Sequence, residues 1–508
     1  MPRFKPYDYA QLQMVPVSLD EQLMAGTLEH ALHYLIEDRL DTSIFDARYR
    51  NDQTGCCAYD PKVLLKVILL AYARGLLSSR RIERACRENI VFMALTCGQA
   101  PDHSTLAAFV SSMHAEVPAL FAQVLLVCEQ EGLLGGTHFS LDGLKLPANA
   151  SKEWSGTFAE LRHKQQKLEA KVREAVAEHR QADRDADADS TTDRQRRVRR
   201  LERLQRQAER IERFLYETAP RPGVRGQEIK SNVTDNESAY LKSSHGIVQG
   251  YNAQALVDDR HQVITAAEAT GVAQDFQQLL TVLPAAQQTA AAAGLGADYY
   301  RGKIVSADSN YHSERNLVAA EAAQLDAYIP DTHFRQRDVR FAGQRRHRPA
   351  PQRPRLRRED FRYDAARDHY ICPQGQHLTL KAARHRSGTG WARRYKSSAQ
   401  KCAGCPLARQ CLARHARARN LLIPILGAPG ERAATASRRM VAKIDTERAR
   451  RVYQRRLAIV EPVFANLRAH KLMNRFTLRG RAKVDIQWKL YCLVHNLGKL
   501  MKFSAAYA

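Results

Sequence analysis

The sequence predicts an α/β protein: a mixed sheet flanked by helices, with an all-helical N-terminal segment, a helical-hairpin insertion and a small Cys-rich insertion. Three observations carry this expectation. An apolar lead-in within THFSLDGLKLPANAS, residues 137–151, delivers a single carboxylate, Asp142, into an expected turn at Gly143. A period-two stretch, GIVQGYNAQALVDDRHQVITAAEAT, begins at Gly246 and reads as a hairpin turning at Asp258–His261. Beyond it helical and strand patterns alternate, through QDFQQLLTVLPAAQQTAAAAG, KIVSAD, ERNLVAAEAAQ and LDAYIP. One strand, a hairpin and then alternating helix and strand describe a mixed sheet.

Taken in order, residues 1–130 read as helical and residues 131–508 as a sheet-bearing domain with insertions at 155–217 and 331–430. Asp60-Pro61 opens a helix whose apolar residues recur at Val63, Leu64, Val67, Ile68 and Ala71, and Gly75 ends it. Ser78-Ser79 is placed to cap a second helix, RRIERACREN, and Pro101-Asp102 starts a third, running to Gln130. Short helices joined by tight turns, with Arg80, Arg81 and Arg84 on one segment, resemble a helix-turn-helix DNA reader. The alternative is a helical packing domain with a solvated basic face. Residues 155–217 are rich in Ala, Glu, Lys, Arg, Leu and Gln around an acidic middle, which predicts an antiparallel helical hairpin with a solvated tip. Residues 331–430 break the α/β rhythm with a basic, Pro-rich run and then a cysteine cluster, and residues 436–505 return to helix.

Charge and cysteines narrow the function classes. The chain has 508 residues, too many for one ordinary core, and a net charge of +25 that calls for a polyanionic partner, nucleic acid first. The N-terminus lacks the apolar core of a signal peptide, and the longest apolar run, Val63 to Leu77, carries Lys66 and Arg74. A soluble, cytoplasmic and nucleoid-associated protein with no membrane partner is expected. Ten cysteines in a chain of this length do not make a disulfide scaffold. Cys56, Cys57, Cys86, Cys97, Cys128 and Cys492 read as small core side chains.

Two groups of residues bear chemistry. Asp142, Asp308 and Glu461 lie in three separated segments, the first two after strand patterns and the third in a late helix. Such a set suits one or two Mg²⁺ or Mn²⁺ ions, which want oxygen ligands and leave room for a substrate phosphate. Asp258, Asp259, Glu268 and Asp275 compete by spacing alone, although they fit turns or a helix start. Asn310 is suited to a left-handed turn after Asp308. The second group is Cys372, the Cys402-Ala-Gly-Cys405 knuckle and Cys411, which together fit a tetrahedral structural Zn²⁺ site. Lys401, Arg409 and Arg414 are placed to keep thiolates charged. Four reduced core cysteines without metal are the alternative. The basic run from Arg335 to Arg358 reads as an arm on phosphates. Trp154 is open to base stacking but reads first as core, and His103, His138, His245 and His312 are assigned nothing.

THFSLDGLKLPANAS, ADSNYHSERNL and YQRRLAIVEPVFANLRAHKLMNRFTLRG together resemble the three catalytic blocks of bacterial insertion-sequence DDE transposases with a ribonuclease H-like core. YDPKVLLKVILLAYARGLLSSRRIERACREN and PDHSTLAAF resemble that family's N-terminal domain, so the likeness spans most of residues 55–508. It implies a ribonuclease H-like catalytic domain over 131–508 and a DNA-binding domain over 1–130. Asp142, Asp308 and Glu461 would be the catalytic metal ligands. Tyr453, Arg456 and Arg468 would contact DNA near the cleavage point. Asn310 stands where relatives usually have glycine and Arg468 where many have lysine; Pro462 suggests a kink or a helix start. The implied reaction is hydrolysis at the element's ends, exposing a 3′-hydroxyl that then attacks a target phosphodiester. The implied partner is double-stranded DNA, both element ends and target, held by a homodimer. A non-catalytic repressor descended from a transposase and a Mg²⁺-dependent nuclease are the other readings.

Overall fold

The computed structural model describes residues 16–51, 56–184, 191–223, 226–243, 246–341, 356–387, 390–412, 416–424 and 435–507. The chain divides into two compact units, residues 1–331 with 447–508 and residues 332–446.

The first unit begins with helices α1 (Leu28–Tyr34), α2 (Pro61–Ala73), α3 (Ser79–Glu88), α4 (Ile90–Leu95), α5 (His103–Ser111) and α6 (Glu116–Gln130). Their starts follow the sequence signals. Asp60 accepts from Lys62 N at 2.7 Å, and Asp102 accepts from Ser104 N at 2.8 Å and Thr105 N at 3.1 Å. Gly75 closes α2 at φ +69°, a conformation that L side chains rarely adopt. Ser78 precedes α3 without donating or accepting a side-chain cap. The single helix expected from 103 to 130 is two, α5 and α6, meeting at 79°.

The sheet follows. It is built from β1 (His138–Pro147), β2 (Ala239–Ser243), β3 (Gly246–Asp258), β4 (Ile264–Thr270), β5 (Ile304–Ala307) and β6 (Asp326–Tyr328). The order is β6–β5–β1–β3–β2, with β4 also paired to β3. β1 runs antiparallel to β3 and parallel to β5, and β6 is parallel to β5. The expected hairpin is β3–β4; β2, at the edge, was not foreseen. Between β1 and β2 lie α7 (Phe158–Arg184) and α8 (Thr191–Glu217), packed on each other as the expected helical pair. The acidic tip at 185–190 lies outside the described residues. α9 (Leu279–Ala292) precedes β5 and α10 (Glu314–Ala322) precedes β6.

The second unit is a five-stranded antiparallel sheet in sequential order: β7 (Arg362–Asp364), β8 (His369–Ile371), β9 (His377–Ser387), β10 (Gly390–Lys396) and β11 (Asn420–Pro424). Its core is small, with Phe361, Tyr370, Leu378, Tyr395, Cys411 and Leu421 buried together. The unit ends in α11 (Ala436–Ile444). Most of the basic arm, residues 342–355, lies outside the described residues. Of its flanks, Arg337 pairs with Asp445 at 2.7 Å and Arg340 with Asp338 at 2.7 Å.

The chain returns to the first unit in α12 (Glu447–Ala465) and finishes in α13 (Arg481–Phe503). α12 packs on β1, and α13 lies on β4, α6 and α2. One apolar core therefore holds α2, α6, β3, β4 and α13 together, with Trp488 fully buried and its Nε1 donating to Gln254 O at 2.8 Å. The boundary expected at residue 130 falls inside this unit.

Several local expectations need correction. Gly143 makes no turn: β1 continues through it, paired with Gln254 of β3. A Cβ there would collide with the Gln254 amide and the Asn252 side chain, so a larger residue would have to displace that buried pair. Asn310 has no left-handed backbone; it sits in a short 3₁₀ turn, 309–311, capped by Asp308. Pro462 neither starts nor ends a helix, because α12 runs past it to Ala465. The proline removes the N–H that would bond Ala458 O, and Gln262 Nε2 takes that carbonyl at 3.0 Å. Of the six cysteines read as core, Cys86, Cys128 and Cys492 are buried, whereas Cys56, Cys57 and Cys97 are exposed.

Candidate active site

Parallel pairing of β1 with β5 brings the first two acids side by side. The ladder runs from His138 opposite Ile304 to Leu141 opposite Ala307, so Asp142 and Asp308 are the next residues of their strands at the same level. Asp142 is still within the sheet, held by β3 through Ala255; Asp308 is where β5 stops. Side-chain oxygens are then fixed by short local bonds. Gly143 N donates to Asp142 Oδ1 at 2.8 Å, and Asn310 donates to both Asp308 oxygens, N to Oδ1 at 2.8 Å and Nδ2 to Oδ2 at 2.9 Å.

The third partner at this spot is a cation. Arg456, at the middle of α12 and only 8% exposed, donates from Nη1 to Asp142 Oδ2 at 3.0 Å. Its Cζ lies 6.0 Å from the Tyr453 ring, one turn earlier on the helix. Burial pushes the Asp142 carboxyl above its usual range; Arg456 and the Gly143 N–H pull it back, and Asp308 adds to the push. Burial likewise raises Asp308, against the pull of the Asn310 N–H and Arg456 and with a further push from Asp275.

A polar network missed in the sequence reading supports the pair on the opposite face of the sheet. Tyr311 OH donates to Gln254 Oε1, Gln254 Nε2 donates to Asn252 Oδ1 at 2.9 Å, and Asn252 Nδ2 donates to Asp275 Oδ1 at 2.6 Å. Lys145 closes it on Asp275 at 3.4 Å. Gln254, Asn252 and Tyr311 are fully buried. The period-two pattern put Asn252 and Gln254 on a face of their own, which was the available signal.

Glu461 stands elsewhere. The buried residues of α12 are Ala449, Arg456, Ile459, Val460 and Val463, and Glu461 lies exposed beside them, with no side-chain hydrogen bond or ion pair among the described residues. Arg468, in a π-helical turn at 466–470, is also exposed. Arg80, Arg81 and Arg84 are exposed on α3, with Arg84 paired to Glu88 at 2.7 Å. Among the described residues no three His, Cys, Asp or Glu side chains stand at metal-holding distances. Two adjacent carboxylates nonetheless suit the donor chemistry of a hard divalent cation that keeps several non-protein ligands.

In the second unit Cys372, Cys402, Cys405 and Cys411 line one cavity of about 30 Å³. All four are free thiols. Ser397 Oγ is 2.9 Å from Cys402 Sγ, and Gln376 N donates to Cys372 Sγ at 3.3 Å. Lys401 and Arg419 line the cavity; Arg409 is exposed, and Arg414 lies outside the described residues.

Two family models match the chain. Residues 371–501 match a Transposase DDE domain, and residues 17–112 match a Transposase domain (DUF772). Together the two matches support an insertion-sequence DDE transposase. The first match spans the four clustered cysteines, α12 with Tyr453, Arg456 and Glu461, and most of α13; the second spans α1 to α5. Asp142 and Asp308 lie outside both. No curated protein and no solved structure matches the chain. Among the described residues no single helix is long and apolar enough to cross a membrane.

Proposed function

We propose that this transposase binds the terminal repeats of its own insertion sequence, cleaves DNA at the element's ends and joins the freed 3′-hydroxyls to target DNA. The observation that carries the reading is the adjacency of Asp142 and Asp308, each one residue beyond the last rung of a parallel ladder. A ribonuclease H-like sheet is what a DDE domain implies, and three antiparallel strands followed by two parallel ones, β4–β3–β1–β5–β6, agree with it.

Asp142 and Asp308 would hold one or two Mg²⁺ or Mn²⁺ ions, which supply charge for an attacking oxygen and a departing one. The rest belongs to the chain. Asn310 and Gly143 orient the carboxylates, and the Gln254–Asn252–Asp275 network keeps the strand behind them rigid. Arg456 presents a guanidinium where a phosphate would approach the acids, with Tyr453 beside it. Glu461 would complete the site when bound DNA brings α12 nearer the strands. Each step replaces one phosphodiester oxygen by another, so no serine or tyrosine nucleophile is needed. The exposed arginines of α3 would grip the ends, and a homodimer would pair them. Zn²⁺ on Cys372, Cys402, Cys405 and Cys411 would brace a unit whose main apolar cluster among the described residues is small. The expected location is the cytoplasm, on the nucleoid.

The test is incubation of the protein and Mg²⁺ with DNA carrying the gene's flanking ends, beside Asp142→Asn. Cuts at the ends that vanish in the variant support the reading. Binding without cutting points to a repressor, which the exposure of Glu461 favours. Cutting without end joining points to a nuclease.

A further inference from the structure

The basic charge of α8 is not spread evenly. Arg199, Arg203, Arg206 and Arg210 recur at intervals of four, three and four, which aligns them on one helix face. That face, with Trp154 at its foot, lines a cleft of about 420 Å³. Trp154 and Arg210 also line a second cleft of about 690 Å³, whose far side carries Arg475 and Arg479. Both clefts are open, and all six arginines are exposed. Arg475 and Arg479 are aimed by Asn149: Arg475 Nη2 donates to its Oδ1 at 2.9 Å, and Arg479 Nε to its carbonyl at 2.9 Å.

Trp154 is half-buried, resting on Leu161, Ile211 and Val233 at the base of the helical pair. Lys164 Nζ and Arg210 Cζ lie 4.3 Å and 5.7 Å from its ring. An indole serving only as core has no reason to form the shared wall of two cationic clefts. A solvated face, equally, needs no aromatic platform at its foot. The combination of a flat π surface and flanking guanidiniums is the recognition chemistry of an unpaired nucleotide strand.

We propose that Trp154 is a stacking platform for a base of single-stranded nucleic acid. The α8 arginines hold the phosphates on one side of that base, and Arg475 and Arg479 hold those on the other. This rests on the DNA-processing reading above and adds a strand-holding site separate from Asp142 and Asp308.

The probe is a fluorescein-labelled single strand of mixed sequence, about 12 nucleotides long, followed by anisotropy beside a duplex of the same length. Trp154→Leu keeps apolar bulk without a π face, and Trp154→Phe restores one; thermal melts verify that both fold. The leucine variant is expected to weaken single-strand binding by at least about five-fold while duplex binding holds, and phenylalanine to recover most of it. Arg199→Ala and Arg203→Ala are each expected to lower the salt slope by about 0.7. Equal affinity of wild type and Trp154→Leu for the single strand overturns the proposal, as does failure of wild type to bind it. End cleavage is measured on the same preparations. Wild type that binds the strand but never cuts the ends sinks the transposase reading and leaves the cleft standing. Normal cutting with unchanged strand binding in Trp154→Leu sinks the cleft alone.

Discussion

Arg456 reaches across 314 residues of sequence to put its Nη1 3.0 Å from Asp142 Oδ2. The arginine is nearly buried and the aspartate about a quarter exposed. Removing one member of a largely buried pair strands the other. Arg456→Met should therefore cost about 1–3 kcal/mol in unfolding free energy by denaturant titration. A loss below about 0.5 kcal/mol would mean solvent already screens the pair.

The same contact sets a pH dependence. Burial holds Asp142 and Asp308 above the usual carboxylate range, and Arg456 pulls Asp142 partly back. Cleavage that needs both carboxylates ionised should have its acid limb above that range. Arg456→Gln removes the pull, so the limb should move to higher pH in a rate profile at saturating Mg²⁺. A shift to lower pH would contradict the assignment.

Stability should respond in the opposite sense to the charge of Asp308. A carboxylate whose folded pKa is raised favours the folded state below its unfolded pKa and loses that contribution as pH rises through the folded value. Asp308→Asn keeps the cap on Asn310 but cannot ionise. The variant should be more stable than wild type above the raised pKa, and the difference should vanish in acid. Melting curves across pH decide it.

Asp142→Asn, Asp308→Asn and Glu461→Gln should each abolish end cleavage while leaving end binding largely intact. Glu461 is exposed and its side chain makes no polar contact among the described residues, so its substitution should also leave the melting temperature unchanged. Wild-type-like cutting by Glu461→Gln would remove it from the reaction.

Gln262 and Pro462 should be energetically coupled. Gln262 Nε2 satisfies the Ala458 carbonyl that the proline orphans, and its Oε1 accepts from Lys499 at 2.9 Å. Gln262→Ala should cost about 1–2 kcal/mol in wild type and about 1 kcal/mol less in a Pro462→Ala background, where the helix supplies its own donor. Additive losses in the double-mutant cycle would refute the coupling.

Much of the scaffold was legible because its signals are local. Asp60, Asp102 and Gly75 act on backbone groups within a few residues, and the α7–α8 pair announces itself by composition. What was hidden depends on contacts between distant segments. Gly143 looks like a turn residue until Gln254 is seen lying over it. Pro462 looks like a boundary until Gln262 is found on the vacant carbonyl. The strands of residues 332–446 carry little sustained apolar alternation: the two longest read HLTLKAARHRS and GWARRYK, with polar or basic residues over most of their length. Asp142 and Asp308 were singled out from their strand context and family likeness, and the strand pairing sets them at one level; Arg456 as the partner of Asp142 follows only from how α12 crosses β1.

The 115 residues of the second unit are synthesised before α12 and α13. A growing chain thus carries both aspartates long before it owns the helix that meets Asp142, and the first unit lacks its central α13 until residues 481–503 are made. Chains broken off before residue 447 would expose β4 and α2, aggregate readily and be cleared. Only chains that have gained α12 would bring Arg456 to Asp142.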